Sequence, residues 1–92
     1  MSYQVIWSER SRKNLELLGK SMASRIISKV EGISEDPYTH VKRLHGVSLF
    51  SLRAWDYRII LDIENKKMVI FVVKLGHRSK IYEDLCATLI LG

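Results

Sequence analysis

The spacing of hydrophobic positions changes twice along the chain. Tyr3 to Trp7, YQVIW, is rich in residues that favour strands and ends at Ser8, a good helix N-cap with Glu9 in the first turn. Leu15, Leu18, Met22, Ile26, Val30 and Ile33 then recur at three- or four-residue steps, the apolar stripe of helical sequence. Gly19 is expected to split this stripe into a helical hairpin, with Ser21 near the second start. Asp36-Pro37 ends helical structure, because proline disfavours the helical region for the residue before it.

The rest reads as strands: Val41 to Leu44, Leu49 to Ala54, Tyr57 to Glu64 and, after a turn at Asn65-Lys66, Met68 to Leu75. In the third of these, Tyr57, Ile59, Leu61 and Ile63 share one face and Arg58, Ile60, Asp62 and Glu64 the other, so Arg58 should point away from the helices. Met68 to Leu75 is apolar on both faces until Lys74, as a central strand would be. Ile81, Leu85 and Leu89 predict a short C-terminal helix or apolar tail over Ile81 to Leu91. The fold class expected is α+β: an N-terminal strand and a helical hairpin packed on one face of a twisted, mostly antiparallel sheet whose other face is partly open.

Ninety-two residues suffice for one domain, residues 1–92, and 47% hydrophobic with 27% charged is the balance of a globular chain, not a disordered one. There is no run of about 18 apolar residues, and MSYQVIWSER lacks a secretion signal, so a cytoplasmic protein with no membrane partner is expected. Cys86 is the only cysteine, which excludes an internal disulfide and a cysteine-based zinc site and leaves it as a small packing residue.

Charge placement says more than the net +5. Residues 1–40 hold six Lys/Arg against five Asp/Glu, residues 41–82 hold nine against three, and residues 83–92 hold none against two. Lys66 and Lys67, in a turn, read as solvated surface; cations carried on neighbouring strands suit a phosphate-rich partner.

Metal chemistry is a poor explanation, since His40, His45 and His77 form neither an HxH nor an HxxxH pair and have no carboxylate cluster beside them. No paired-carboxylate or phosphate-loop motif is present, and no cofactor or metal is expected. What remains is a metal-free group at the mouth of one hairpin: Arg58, His77, Arg78, Lys80 and Tyr82, with Lys42, Arg43, Arg53 and Lys74 as possible neighbours. Such a set suits RNA cleavage. A base takes the ribose 2′-hydroxyl proton, cations stabilise the charge that develops on the attacked phosphate, and an acid protonates the departing 5′-oxygen. Tyrosine is a poor base at its ordinary pKa of about 10, but nearby cations favour its ionised form; histidine ordinarily titrates nearer neutrality and could carry a proton instead. Each residue also has a plainer reading: Tyr82 as a packed ring, Arg58 paired with Asp56 or Asp62, His77 as a cap at a strand end.

Two segments, LRAWDYRIILDI (Leu52 to Ile63) and GHRSKIY (Gly76 to Tyr82), resemble the R-x-G-D-Y-R-[IV]-x-[YF] strand and the terminal G-[HK]-R-x-x-[IV]-Y motif of the RelE/ParE superfamily of toxins, specifically its RelE-like branch. The order of helical hairpin, KRLHG and these two strands repeats that family's order across Tyr3 to Tyr82. The resemblance implies a ribosome-dependent endoribonuclease that cuts mRNA during translation and is held inactive by a cognate antitoxin, with no homo-oligomer required. It implies that Arg58 stabilises the phosphate, that Arg78 stabilises the transition state or protonates the leaving group, and that Tyr82 orients or activates the RNA; His77 falls where relatives vary between His and Lys. Lys42, Arg43, Arg53, Lys74 and Lys80 would bind RNA. Two departures stand out. Leu49 and Ser51 occupy positions where active members carry lysines, and Trp55 replaces the usual glycine of the turn. The alternatives are a ParE-like poison of DNA gyrase, which shares the fold but generally lacks the basic and tyrosine site, and an inactive antitoxin-binding or co-repressor module. The basic face and the LCATLIL tail would both suit an acidic, partly helical antitoxin segment that folds on binding.

Overall fold

The structure, a computed structural model, describes residues 2–44 and 46–81. His45, Tyr82, Cys86 and almost all of the terminal helix expected over 81–91 lie outside the described residues. The elements in chain order are β1 (Gln4–Trp7), α1 (Glu9–Leu18), α2 (Lys20–Gly32), a 3-10 turn (Pro37–Thr39), β2 (Val41–Arg43), β3 (Phe50–Ala54), β4 (Tyr57–Glu64) and β5 (Val69–His77). The sheet order is β1-β5-β4-β3-β2, with β1 parallel to β5 and every other pair antiparallel.

The helices form where the apolar stripe predicts. Ser8 caps α1 by accepting the Ser11 amide at 3.0 Å, and Gly19, at φ +85°, breaks the hairpin in a region that glycine enters without a Cβ penalty. Ser21 lies within α2 and makes no cap; Gly19 is the N-cap and offers no side-chain bond. α2 stops at Gly32, four residues before the Asp36-Pro37 boundary. Leu15, Ile26, Val30 and Ile33 from the helices close over Leu52, Ala54, Ile59, Leu61, Ile63, Ile70, Val72 and Leu75, so one face of the sheet carries the core. Each fully buried aliphatic side chain in it contributes about 1.5–3 kcal/mol.

β5 runs through Gly76 and His77, two residues beyond the sequence expectation. It also carries a bulge. β4 and β5 pair as Ile60↔Lys74 and then Leu61↔Val72, which leaves Val73 as the extra residue. Strict alternation from the core residues Ile70 and Val72 would have put Lys74 and Gly76 among the helices. The bulge turns those two outward and brings Leu75 in, where it is buried against Ile59. Side chains of α1 and its cap hold it in place: the Ser8 hydroxyl donates to the Val73 carbonyl at 2.7 Å and the Leu75 amide donates to Asn14 Oδ1 at 3.1 Å. β1 pairs only as far as Val72, so these two bonds satisfy the edge of β5 where its strand partner ends.

Candidate functional site

On the face away from the helices, the ladders line up two rows. One is Arg53 on β3, Arg58 on β4 and Gly76 on β5; the next is Lys42 on β2, Ser51, Ile60 and Lys74. Arg53 and Arg58 stand directly opposite each other, a like-charge cross-strand pair that disfavours the sheet unless an anion joins it. Ile60 is fully buried although it lies on this face, so the centre is covered and the cations form a rim. Lys74 is only 9% exposed, whereas Lys42 and Arg53 are exposed.

Three main-chain contacts organise the rim. Arg58 Nη1 donates to the carbonyls of Tyr57 at 3.0 Å and Trp55 at 3.3 Å, which holds the guanidinium at the β3–β4 turn. The Arg78 amide donates to the Asp56 carbonyl at 2.8 Å, so the chain leaving β5 is tied to that same turn. It then enters a helical turn over residues 78–81. A Cβ on Gly76 would stand 3.3 Å from Ile81 Cγ1 and 3.5 Å from its Cδ1. The glycine therefore lets buried Ile81 fold back over the partner position of Arg58, and Arg78 and Lys80 are left exposed around it.

His77 is not on this face. It pairs with Tyr57, whose ring packs at the margin of the helix-side core, and the two rings meet edge to face at 6.0 Å. His77 Nδ1 accepts the Ser79 amide at 3.3 Å and lies 3.0 Å from Ser79 Oγ, so the side chain caps the helical turn that follows β5. With Nδ1 accepting, the proton of the neutral ring sits on Nε2. Arg43, opposite Phe50, also belongs to the helix side. His77 and Lys80 line a cleft of about 400 Å³ with Arg10, Asn14, Leu17 and Ile81. The structure thus brings Arg53, Arg58 and the Arg78 backbone to one end of the face away from the helices, with Lys42 and the buried Lys74 one row further along.

Asn14, Val73 and the second bond of the cap residue Ser8 escape the sequence reading, since a bulge inside an apolar run leaves no periodic signature. Among the described residues no group of three or more His, Cys, Asp or Glu side chains gathers as a metal ion needs, and no helix is long and apolar enough to cross a membrane.

The comparisons with known proteins agree with this architecture. A family model described as the ParE toxin of type II toxin-antitoxin system, parDE, matches residues 5–82. The chain is 27% identical over 89 residues to the mRNA interferase toxin RelE of Escherichia coli strain K12, covering 91% of this chain and 94% of that protein. Its fold superposes on the toxin-antitoxin complex RelBE2 of Mycobacterium tuberculosis with TM-score 0.80 at 22% identity, covering 85% and 93% of the two chains. On the archaeal RelE-RelB complex from Pyrococcus horikoshii the TM-score is 0.72 at 28% identity, with 85% and 97% covered. With the family model running from Val5 in β1 through both helices and the other four strands, the chain belongs to the ParE toxin family of type II toxin-antitoxin systems, within the RelE/ParE superfamily.

Proposed function

We propose that this toxin is a ribosome-dependent mRNA endoribonuclease. The observation that carries the reading is Arg58, fixed by two carbonyls at the end of a rigid sheet, opposite Arg53 and beside the turn to which Arg78 is bonded. A scissile phosphate seated there would meet positive charge before and during attack. The 2′-oxygen gives up its proton and forms its bond to phosphorus, the bond to the 5′-oxygen breaks as that oxygen takes a proton from solvent water, and the 2′,3′-cyclic phosphate and a free 5′-hydroxyl result. Arg58 and Arg78 stabilise the phosphorane; guanidinium is a stronger electrostatic partner than proton donor. Tyr82 takes or orients the 2′-hydroxyl proton in this reading. His77, capping from the opposite face, acts as a positioning residue for the turn that carries Arg78 and leads to Tyr82.

The missing strand lysine at Ser51 has neighbours that can replace its charge. Lys42 faces Ser51 across the β2–β3 ladder and Arg53 is two residues along the same face. The RelE-type relatives have been crystallised with RelB antitoxins. By extension we assign this chain an antitoxin partner that covers the Arg53–Arg58 rim.

Primer-extension mapping of a reporter mRNA in a translating extract tests the reading. Cuts within the coding region that require ribosomes and weaken in Arg58→Ala and Tyr82→Phe are expected. If the folded protein leaves the message intact and instead blocks gyrase supercoiling, the ParE-like reading replaces this one. If it does neither and only binds its antitoxin, the chain is a non-catalytic module.

A further inference from the structure

Trp55 is the residue at the rim that the proposed chemistry leaves unused. It occupies the first central position of a two-residue hairpin turn, between the paired residues Ala54 and Tyr57, at φ +55°. Glycine suits that position and a bulky residue is a genuine outlier. Burial offsets the strain only in part, since 49% of the residue is exposed. The Arg25 guanidinium from α2 lies 4.7 Å from the ring centroid, so one side of the indole carries a cation and the exposed remainder faces solvent. The same residue's carbonyl receives Arg58 Nη1, and the next residue's carbonyl receives the Arg78 amide. The Arg25 guanidinium lies against the ring itself, while the Arg58 guanidinium and the Arg78 main chain meet the backbone carbonyls of the same turn.

An exposed aromatic ring in a cationic setting is what a single-stranded nucleic acid uses. Arginines hold the backbone and a base lies on the ring's π-face. We propose that the indole of Trp55 is a stacking platform for a base next to the phosphate held by Arg58. This rests on the RNA reading above and adds to it a residue that selects for an unstacked, accessible base. Backbone strain held at an exposed position argues in the same direction, from an observed outlier to a function. The cation on the Arg25 side keeps the ring in place, so a base meets a pre-positioned surface.

The test uses the full chain and a single-stranded ribo-hexanucleotide whose 2′-O-methyl groups prevent cleavage, with a matched oligonucleotide carrying abasic sugars. Tryptophan emission reports stacking, and Trp55→Phe gives the contribution of Trp7, which packs against the core. The expected result is quenching by the base-bearing oligonucleotide that disappears in Trp55→Phe, with affinity largely kept in that variant. The abasic oligonucleotide should bind roughly tenfold to a hundredfold more weakly, and Trp55→Gly should lose a similar factor while its melting temperature stays within a few degrees of the intact chain's. Trp55→Leu, which keeps a bulky apolar side chain at the same strained φ but has no π-face, should fall with Trp55→Gly. Equal affinity of the intact chain, Trp55→Gly and Trp55→Leu for the base-bearing RNA would overturn the platform, and the ribonuclease reading would survive it if Arg58→Ala still weakened binding. A loss confined to antitoxin binding, with RNA affinity unchanged, would overturn it in favour of a protein-docking role. Failure of the intact chain either to bind the oligonucleotide or to cut mRNA on ribosomes would remove the RNA reading and the platform together.

Discussion

β4 has a turn at each end, and each contains a non-glycine residue at φ +55°: Trp55 before it and Met68 after it. The strain is alike, roughly 1–2 kcal/mol for an L-residue in the left-handed region. What surrounds it differs. Met68 closes its turn with an amide bond to the Asn65 carbonyl at 3.2 Å and accepts the Gln4 amide at 2.8 Å, which starts the β1–β5 ladder, while the Tyr3 hydroxyl donates to Asn65 Oδ1. That turn attaches the N-terminal strand and its strain is repaid by pairing. Trp55 instead presents a half-exposed ring, and its turn's carbonyls hold a guanidinium and, at Arg78, the main chain of the second motif. One end of β4 builds the fold and the other arranges charge. An unusual dihedral alone would not distinguish them.

The largest expected effect follows from the charge-bearing end. Arg58→Ala should lower ribosome-dependent cleavage by about 10²–10³-fold, the range for removing one preorganised donor to a developing anion, while thermal denaturation shows a folded chain. The same assay on Lys66→Ala/Lys67→Ala, which removes two cations from the opposite end, should give cleavage close to that of the intact protein. If the double variant fell as far as Arg58→Ala, net charge and not placement would be the active quantity.

The bulge links the two ends. Asn14→Ala leaves the Leu75 amide without its acceptor, and Ser8→Ala removes both the α1 cap and the bond to the Val73 carbonyl. Each should cost about 1–3 kcal/mol in urea unfolding. Each should also reduce cleavage further than the stability loss explains, because Gly76 and the turn at Arg78 take their position from the bulge. Unchanged activity in a destabilised Asn14→Ala would show that the bulge only supports the fold.

Much of this was legible in the sequence because local pattern and tertiary role coincide. The stripe from Leu15 to Ile33 marks the helical face that enters the core, and alternation in Tyr57 to Glu64 puts Arg58 outward, where the register has it. His77 was harder. Its neighbours in sequence, Arg78 and Lys80, invite one cluster, yet the ladder continues to His77 and pairs it with Tyr57 on the helix side. The bulge was hidden because VIFVV is apolar on both faces and has no period to interrupt. Lys42 and Arg43 are adjacent in sequence and equally charged, and only pairing with Ser51 and Phe50 separates them by face.

Glycine at each strained turn residue sharpens the contrast. Met68→Gly should relieve about 1 kcal/mol of backbone strain, offset in part by lost side-chain contact and glycine's chain entropy. Its unfolding free energy should stay within about 1 kcal/mol of the intact protein, with cleavage unchanged. Trp55→Gly relieves the same strain but gives up a half-covered ring and its Arg25 contact, so its unfolding free energy should also stay within about 1 kcal/mol of the intact protein while cleavage falls. Equal retention of activity in both would make the two turns alike.

The smallest effect belongs to the fold-building end and is read in alkali. Tyr38 packs edge to face on Phe50 at 5.5 Å between ring centroids, and burial, then the neighbouring Tyr3 and Glu64, raise its phenol above the ordinary 10.0. A phenol that ionises less readily in the folded chain holds its proton where the unfolded chain has lost it, so its contribution is constant below about pH 10 and stability falls as pH rises through that point towards the raised folded value. Tyr38→Phe keeps the ring contact and removes the titration. Urea midpoints at pH 9 and pH 10.5 should therefore diverge less in Tyr38→Phe than in the intact chain, and the mRNA cut pattern at neutral pH should be the same for both. A variant whose midpoint falls with pH as steeply as the intact protein would place the alkaline sensitivity elsewhere, and a variant with altered cleavage would extend the site to the end of β4 assigned here to structure.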